Sequence, residues 1–252
     1  MKAMILSAGL GTRLGDLTQD TPKGMLPIDG YPILAWIIAN LRRQGVTQLA
    51  MNLHFFPGAI TDYFGDGSRF DTRISYSREA ELQGTAGGVR DAREFLEGDP
   101  EILVHYGDIV TDQNVESMLE YHRTTNALAT LLLHERNKSN SIVALDENKR
   151  ITGFLERPSD DERRKLTSKW VNSGICICSP EIFDHIPLAG LVDLPRDVFI
   201  NLVDTGRLYG FPLTGFRCAV DSADRLESTR QAVADGKICF HPSTIDRHPA
   251  DN

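Results

Sequence analysis

No stretch of this 252-residue chain is apolar over the ~18 residues that a membrane-spanning helix needs. No basic tract is present either. Lys and Arg number 27 against 35 Asp and Glu, a net charge of -8, which argues against nucleic acid or a membrane surface as partner. An acidic chain can still bind a polyanion, but only with its cations gathered at one place. Cysteine is scarce: Cys176, Cys178, Cys218 and Cys239 form no CxxC knuckle and no disulfide framework. Cys176 and Cys178 alternate with isoleucines in GICICS, which reads as one strand with both thiols on one face. His54, His105, His122 and His134 lack ligand spacing, and no Ser/His/Asp or Cys/His set stands out. The start, Lys2 followed by AMILSAG, is too short and too soon interrupted for a signal peptide, so a cytoplasmic protein is expected.

What is present is ordinary for a globular protein, with 41% hydrophobic and 25% charged residues. KAMILSAG reads as a buried strand and residues 32–44 as a helix closed by Gly45. Strands follow at 46–55, 71–79, 101–108 and 126–136, with helices over 60–67, 87–98 and 115–125 between them. Residues 141–158 read as a hairpin turning at 146–149, and 170–180 as another strand. A short helix at 180–187, a helix over 196–206, one or two strands in 207–222 and a last helix over 223–236 complete the pass. The alternation in the first half is that of a parallel sheet with helices on both faces. The strand-richer second half adds a mixed or antiparallel portion. The expectation is an α/β, Rossmann-like, mostly parallel mixed sheet in a single domain over 1–236, followed by a loose tail over 237–252.

The stretch SAGLGTRLGDLTQDTPKGMLP (7–27) concentrates glycine with two cations. Gly9, Gly11 and Gly15 give G-x-G-x-x-x-G, one residue too long for the dinucleotide fingerprint, and NLHF stands where that motif needs an acidic residue. A Walker loop fails as well, since Gly236-Lys237 is followed by isoleucine.

Residues 3–34 instead resemble the signature of the sugar-phosphate nucleotidyltransferases: a strand, G-x-G-T-R-L, a short loop, then P-K-x-M-L-P and a helix. The one departure is Asp16, where that family usually has proline. The resemblance implies that Ala8, Gly9, Gly11 and Thr12 line a nucleotide, with the glycine N–H groups approaching phosphate oxygens. It implies that Arg13 holds the β- and γ-phosphates and that Lys23 sits beside the α-phosphate. ELQGTAGGV resembles the second nucleotide segment, placing Gln83, Gly84 and Thr85 near the base. YGD resembles the metal-binding segment at the end of a strand, with Asp108 as a Mg²⁺ ligand and Gly107 toward the sugar phosphate. For the second carboxylate two alignments stay open. One puts Ala219 where an aspartate belongs; the other, on VDSADRL, makes Asp221 the ligand, its alternative role being an N-cap for the last helix. ITGFLERP resembles G-F-x-E-K-P, so that Glu156 would accept from sugar hydroxyls and Arg157 would pair with the sugar's phosphate. WVNSGIC resembles N-A-G-I-Y, with Asn172 on sugar hydroxyls and Gly174 leaving room for the ring.

The reaction so implied joins an NTP and a sugar 1-phosphate into an NDP-sugar and pyrophosphate, with Mg²⁺ as cofactor. The overall run is most similar to short bacterial enzymes making GDP-heptose or GDP-mannose type products. Uridylyl, thymidylyl or cytidylyl transfer, to another sugar 1-phosphate or phosphocholine, stays open. A non-catalytic nucleotide-sugar sensor is disfavoured by the retained Arg13 and Lys23. A homo-oligomer is left open.

Overall fold

The computed structural model describes residues 1–137 and 139–246. Strand β1 (Lys2–Leu6) is buried through its middle, as a continuous apolar run covered on both faces must be. Two-residue strands β2 (Pro27–Ile28) and β3 (Tyr31–Pro32) flank Asp29 and Gly30, both at positive φ, the geometry of a type I′ hairpin turn. Helix α1 (Ile33–Arg43) starts after Pro32 and carries Arg42 and Arg43 in its last turn, where cations offset the helix dipole. Then come β4 (Gln48–Leu53), α2 (Pro57–Phe64) with proline at its first position, and β5 (Arg73–Arg78). Next are α3 (Gly84–Asp91), α4 (Arg93–Leu96), β6 (Ile102–Tyr106), β7 (Ile109–Thr111) and α5 (Val115–Thr124). Strands β8 (Ala129–Glu135), β9 (Ser141–Leu145) and β10 (Ile151–Glu156) precede α6 (Asp160–Lys165), whose start carries a capping box of Ser159 and Glu162. After β11 (Trp170–Cys178), a π-helical turn over Leu194–Phe199 leads into α7 (Ile200–Leu202). The chain ends with β12 (Leu208–Pro212), β13 (Arg217–Ala219) and α8 (Ala223–Ala234).

Contacts gather these elements into two compact units that interleave along the sequence. The first comprises 1–82, 105–114 and 214–246 of the described residues. In it β4 lies between β1 and β5, all parallel, with Leu6 opposite Asn52 and Asn52 opposite Ser77. Its core holds Met4, Ile5, Trp36, Leu41, Met51, Phe64 and Phe70, each at most 1% exposed except Phe64 at 2%. Strands β7 and β13 pair antiparallel, Ala219 opposite Ile109.

The second unit comprises 83–104 and 115–213. Here β9 pairs antiparallel with β10 and with β11, β11 antiparallel with β8, and β12 parallel with β8. The parallel first part and the antiparallel-rich later part expected from the sequence are both present. Cys176 and Cys178 are buried on one face of β11, their sulfurs 3.7 Å apart.

Strands β2, β3 and β7 and helix α6 have no counterpart in the sequence reading, the helix read over 60–67 lies at Pro57–Phe64, and two further segments differ for long-range reasons. The helix expected over 87–98 begins already at Gly84, where its first free N–H groups, on Ala86 and Gly87, are taken by the carbonyl of Val192 at 2.9 and 3.2 Å, and it is interrupted at Ala92. The tail expected to be loose is docked as far as it is described. His241 packs edge-on against Trp36 at 5.0 Å and lies 3.2 Å from Asp29, and Arg43 covers the Phe240 ring. Asp246 accepts two hydrogen bonds from Arg69, at 2.5 and 2.7 Å. The remainder of that tail lies outside the described residues. No helix among the described residues is long and apolar enough to cross a membrane.

Candidate active site

In the first unit the chain leaves β1 through Ser7 and a buried Ala8 into the exposed Gly9 and Leu10. Gly11 then turns back at φ 68°, and a Cβ there would lie 3.2 Å from the Lys23 and Thr18 side chains. Only glycine combines that backbone with that closeness. The carbonyl of Gly11 accepts from the Leu14 N–H at 2.9 Å and from Thr18 Oγ1 at 3.0 Å. Thr12 and Arg13 are thereby held outward, both exposed. Asp16 takes a 2.7 Å hydrogen bond from Gln19, a brace at the position where the resemblance has proline.

The two cations fall on two carboxylates. Lys23, only 14% exposed, makes a short ion pair with Asp108. Arg13 reaches Asp221 at 3.3 Å, and Arg225 flanks the same carboxylate at 3.4 Å. Asp108 and Asp221 share a neighbourhood because Val220 donates its N–H to the Asp108 carbonyl at 2.8 Å, extending the β7–β13 pair. Asp221 does not cap the last helix. Ser222 does, accepting from the Arg225 N–H. Gly107 donates to the Leu6 carbonyl at 2.9 Å, and a Cβ on it would come within 2.8 Å of Ser7 Oγ. That buried hydroxyl has no hydrogen-bond partner.

The remaining predicted residues lie in the second unit. Gly84 has φ 77°, and a Cβ on it would strike the Val192 carbonyl oxygen at 2.4 Å. Thr85 is held from both sides: its N–H and hydroxyl each lie 3.2 Å from Asp193 Oδ1, and Oγ1 accepts from the Leu194 N–H at 2.7 Å. Gln83 uses its carbonyl on Val192 and its side-chain oxygen on Arg90, at 2.8 and 3.0 Å. Val192 and Asp193 order this segment and carried no motif by which the sequence could have flagged them.

Glu156 ends β10 with its carboxyl 16% exposed and 3.9 Å from Arg157. Burial pushes its pKa up to about 7, against the pull of Arg157 and Arg196. Arg157 itself has φ 51°, a strained backbone for a residue with a Cβ, and its side chain is 68% exposed. Asn172 accepts the Gly174 N–H at 3.1 Å inside a bulge where β11 slips register against β8 between Asn172 and Cys176. Bulges of this kind re-aim side chains beside functional sites. Alternation along WVNSGIC gave no sign of it.

Among the described residues no three His, Cys, Asp or Glu side chains gather as a metal cluster. Asp108 and Asp221 nevertheless form a pair of oxygen donors on adjoining segments, the chemistry that suits a hard divalent cation completed by waters or phosphate oxygens.

Residues 2–215 match the family model described as Nucleotidyl transferase. A UTP–glucose-1-phosphate uridylyltransferase of Synechocystis is 36% identical over 220 residues, covering 82% of this chain and 56% of that protein. A mannose-1-phosphate guanylyltransferase of Mycobacterium tuberculosis is 30% identical over 213 residues, covering 83% and 58%. The chain thus spans under three fifths of the length of these two curated relatives. Among solved structures, a putative glucose-1-phosphate thymidylyltransferase from Bacillus anthracis, in complex with a sucrose, superposes with TM-score 0.82 at 20% identity, covering 93% of this chain and 96% of that one. HddC from Yersinia pseudotuberculosis complexed with GMP-PN gives 0.76 at 20% identity, covering 92% and 99%. The fold is therefore the Rossmann-like mixed sheet flanked by helices of those structures.

Proposed function

Because this chain belongs to the nucleotidyl transferase family, we propose that it transfers a nucleotidyl group from an NTP to a sugar 1-phosphate and releases pyrophosphate. The observation that carries this reading is the pairing of two cations from the segment between β1 and β2 with two carboxylates just beyond β6 and β13: Lys23 with Asp108, Arg13 with Asp221.

A phosphate monoester has its second pKa near 6 and is largely dianionic at neutral pH, so it attacks without a general base. One of its oxygens displaces pyrophosphate in line at the α-phosphorus: one P–O bond forms as the bond to the β-phosphate breaks. The protein's work is positioning and charge neutralisation. The glycine loop, Ala8 to Thr12, carries the triphosphate. Arg13, long and exposed, reaches the β- and γ-phosphates. Lys23, largely covered and paired with Asp108, serves the α-phosphate. Gln83, Gly84 and Thr85, at the start of α3, lie against the base. Glu156 and Asn172 bind sugar hydroxyls, with Gly174 clearing space, and Gly107 and Arg157 attend the sugar's phosphate. Asp108 and Asp221 would hold Mg²⁺, which, when bound, supplies further neutralisation of phosphate charge.

For substrates we place GTP with a mannose- or heptose-type 1-phosphate first, in line with the guanylyltransferase relative and the GMP-PN complex. The uridylyltransferase relative at 36% identity makes UTP with glucose 1-phosphate the rival. The test is pyrophosphate release across a panel of four NTPs and several sugar 1-phosphates with Mg²⁺. Release with one pair well above the others is expected. Nucleotide binding without release from any pair would instead favour a nucleotide sensor.

A further inference from the structure

The carboxyl ends of β1, β4 and β5 carry a row of side chains that the proposed chemistry does not use. Asn52, 3% exposed, accepts the Ser7 N–H on Oδ1 at 2.8 Å. Its Nδ2 donates to Glu79 Oε1 at 2.7 Å, and Glu79 is itself only 7% exposed. The backbone of Glu79 is tied too. Its N–H donates to the Leu53 carbonyl at 2.8 Å, and its carbonyl lies 2.9 Å from His54 Nδ1. Leu6 pairs with Asn52 in register and Leu53 with Arg78, so Ser7, Asn52 and Glu79 cross three adjacent parallel strands at the edge where such sheets bind ligands.

An amide has one accepting and one donating end. With its Nδ2 committed to Glu79 Oε1, Asn52 has its oxygen left to accept from the Ser7 N–H. The Ser7 N–H is the last backbone donor before Ala8 and the glycine loop. Tying it to a side chain fixed from behind sets the direction in which the loop leaves the sheet. A buried polar chain fits such a role, because each unmade bond in it costs a desolvated group.

We propose that Glu79 and Asn52 are positioning residues for nucleotide binding, acting through the Ser7 N–H to aim the 8–13 loop. This rests on the reading of that loop as the triphosphate site. Neither residue touches substrate, so loss of the relay shows as weakened NTP binding rather than as loss of a reacting group.

The test exploits the polarity of the chain. Asn52→Asp keeps an acceptor for Ser7 but replaces the amide donor facing Glu79 with a second carboxyl group, so the bond between them survives only if the two share a proton. Adding Glu79→Gln restores a donor between them. NTP binding is titrated directly by calorimetry, KM for NTP and for sugar phosphate are measured separately, and thermal melting checks the fold. Because small misplacements of a binding group carry large rate penalties, N52D is expected to raise NTP Kd and KM about tenfold or more while sugar-phosphate KM stays within about twofold. The N52D/E79Q double variant is expected to return to within about threefold of wild type, the mark of a coupled pair. If N52D does not fold, Asn52→Ala, which removes the acceptor without adding charge, carries the same expectation. Unchanged NTP binding in the folded variant, equal loss for both substrates, or no recovery in the double variant overturns the relay. A wild-type chain that binds NTP but releases no pyrophosphate overturns the transferase reading alone, since the binding titration still reports on the relay.

Discussion

The two units solve different problems with different materials. The charged candidates of the first are a lysine, an arginine and two aspartates already joined in ion pairs, beside a glycine-rich loop. The candidates of the second depend on backbone shape: a left-handed glycine, an arginine at positive φ and a bulged strand, together with a glutamate whose pKa burial raises. Charged groups act over several ångströms and tolerate some freedom of placement. Hydroxyl and base recognition requires donors and acceptors set to within a few tenths of an ångström, which takes backbone geometry.

The largest effect that would sharpen this contrast is in the first unit. Lys23→Ala and Arg13→Ala are each expected to lower turnover about 100- to 1,000-fold, the usual scale for removing one transition-state donor. Their stability effects should diverge. Arg13 is 67% exposed, so its loss should cost well under ~1 kcal/mol, whereas loss of the half-covered Lys23–Asp108 pair should cost about 1–3 kcal/mol. Pyrophosphate release and urea denaturation measure the two, and near-normal turnover in either variant breaks the charge half of the comparison.

In the second unit Gly84→Ala should act on the fold itself. With φ at 77° and the Val192 oxygen 2.4 Å from the new methyl, it should cost about 2–4 kcal/mol in urea denaturation. A cost below ~1 kcal/mol would mean that the segment yields easily and that shape is not what it supplies.

The smallest effect concerns Glu156. Its folded pKa, about 7, lies above the ordinary glutamate value, so the fold favours the protonated form. The stability tied to this is fully present below the unfolded pKa, near 4.5, and is lost as pH rises through 7. Glu156→Gln should therefore melt like wild type near pH 4.5 and above it at pH 8, by on the order of 2 kcal/mol, while raising KM for the sugar phosphate. Parallel melting curves for the two proteins from pH 4.5 to 8 would remove burial as the source of the shift.

Much of this was legible in the residues, and what was legible was local. The buried run of β1, the spacing of α1 between Pro32 and Gly45, and the hairpin turning at Asp146 all follow from neighbours in sequence. Arg13, Lys23 and Asp108 stand out through the family resemblance, and the structure pairs Lys23 with Asp108. The docked tail was missed. Phe240 and His241 depend on Trp36, Arg43 and Asp29, residues nearly the whole chain away. The start of α3 was missed for the same reason, its donors being satisfied from Val192.

By itself the sequence determined the alternation of elements, the glycine loop with its two cations, and so the family. Only the tertiary structure decided that Asp221 rather than Ser222 stands free of the helix cap, that Glu156 is buried enough to resist ionisation, and that Asn52 links Ser7 to Glu79. The reason is physical. A residue's charge and backbone freedom belong to it alone, whereas its desolvation and its hydrogen-bond partners are supplied by segments that meet it only on folding.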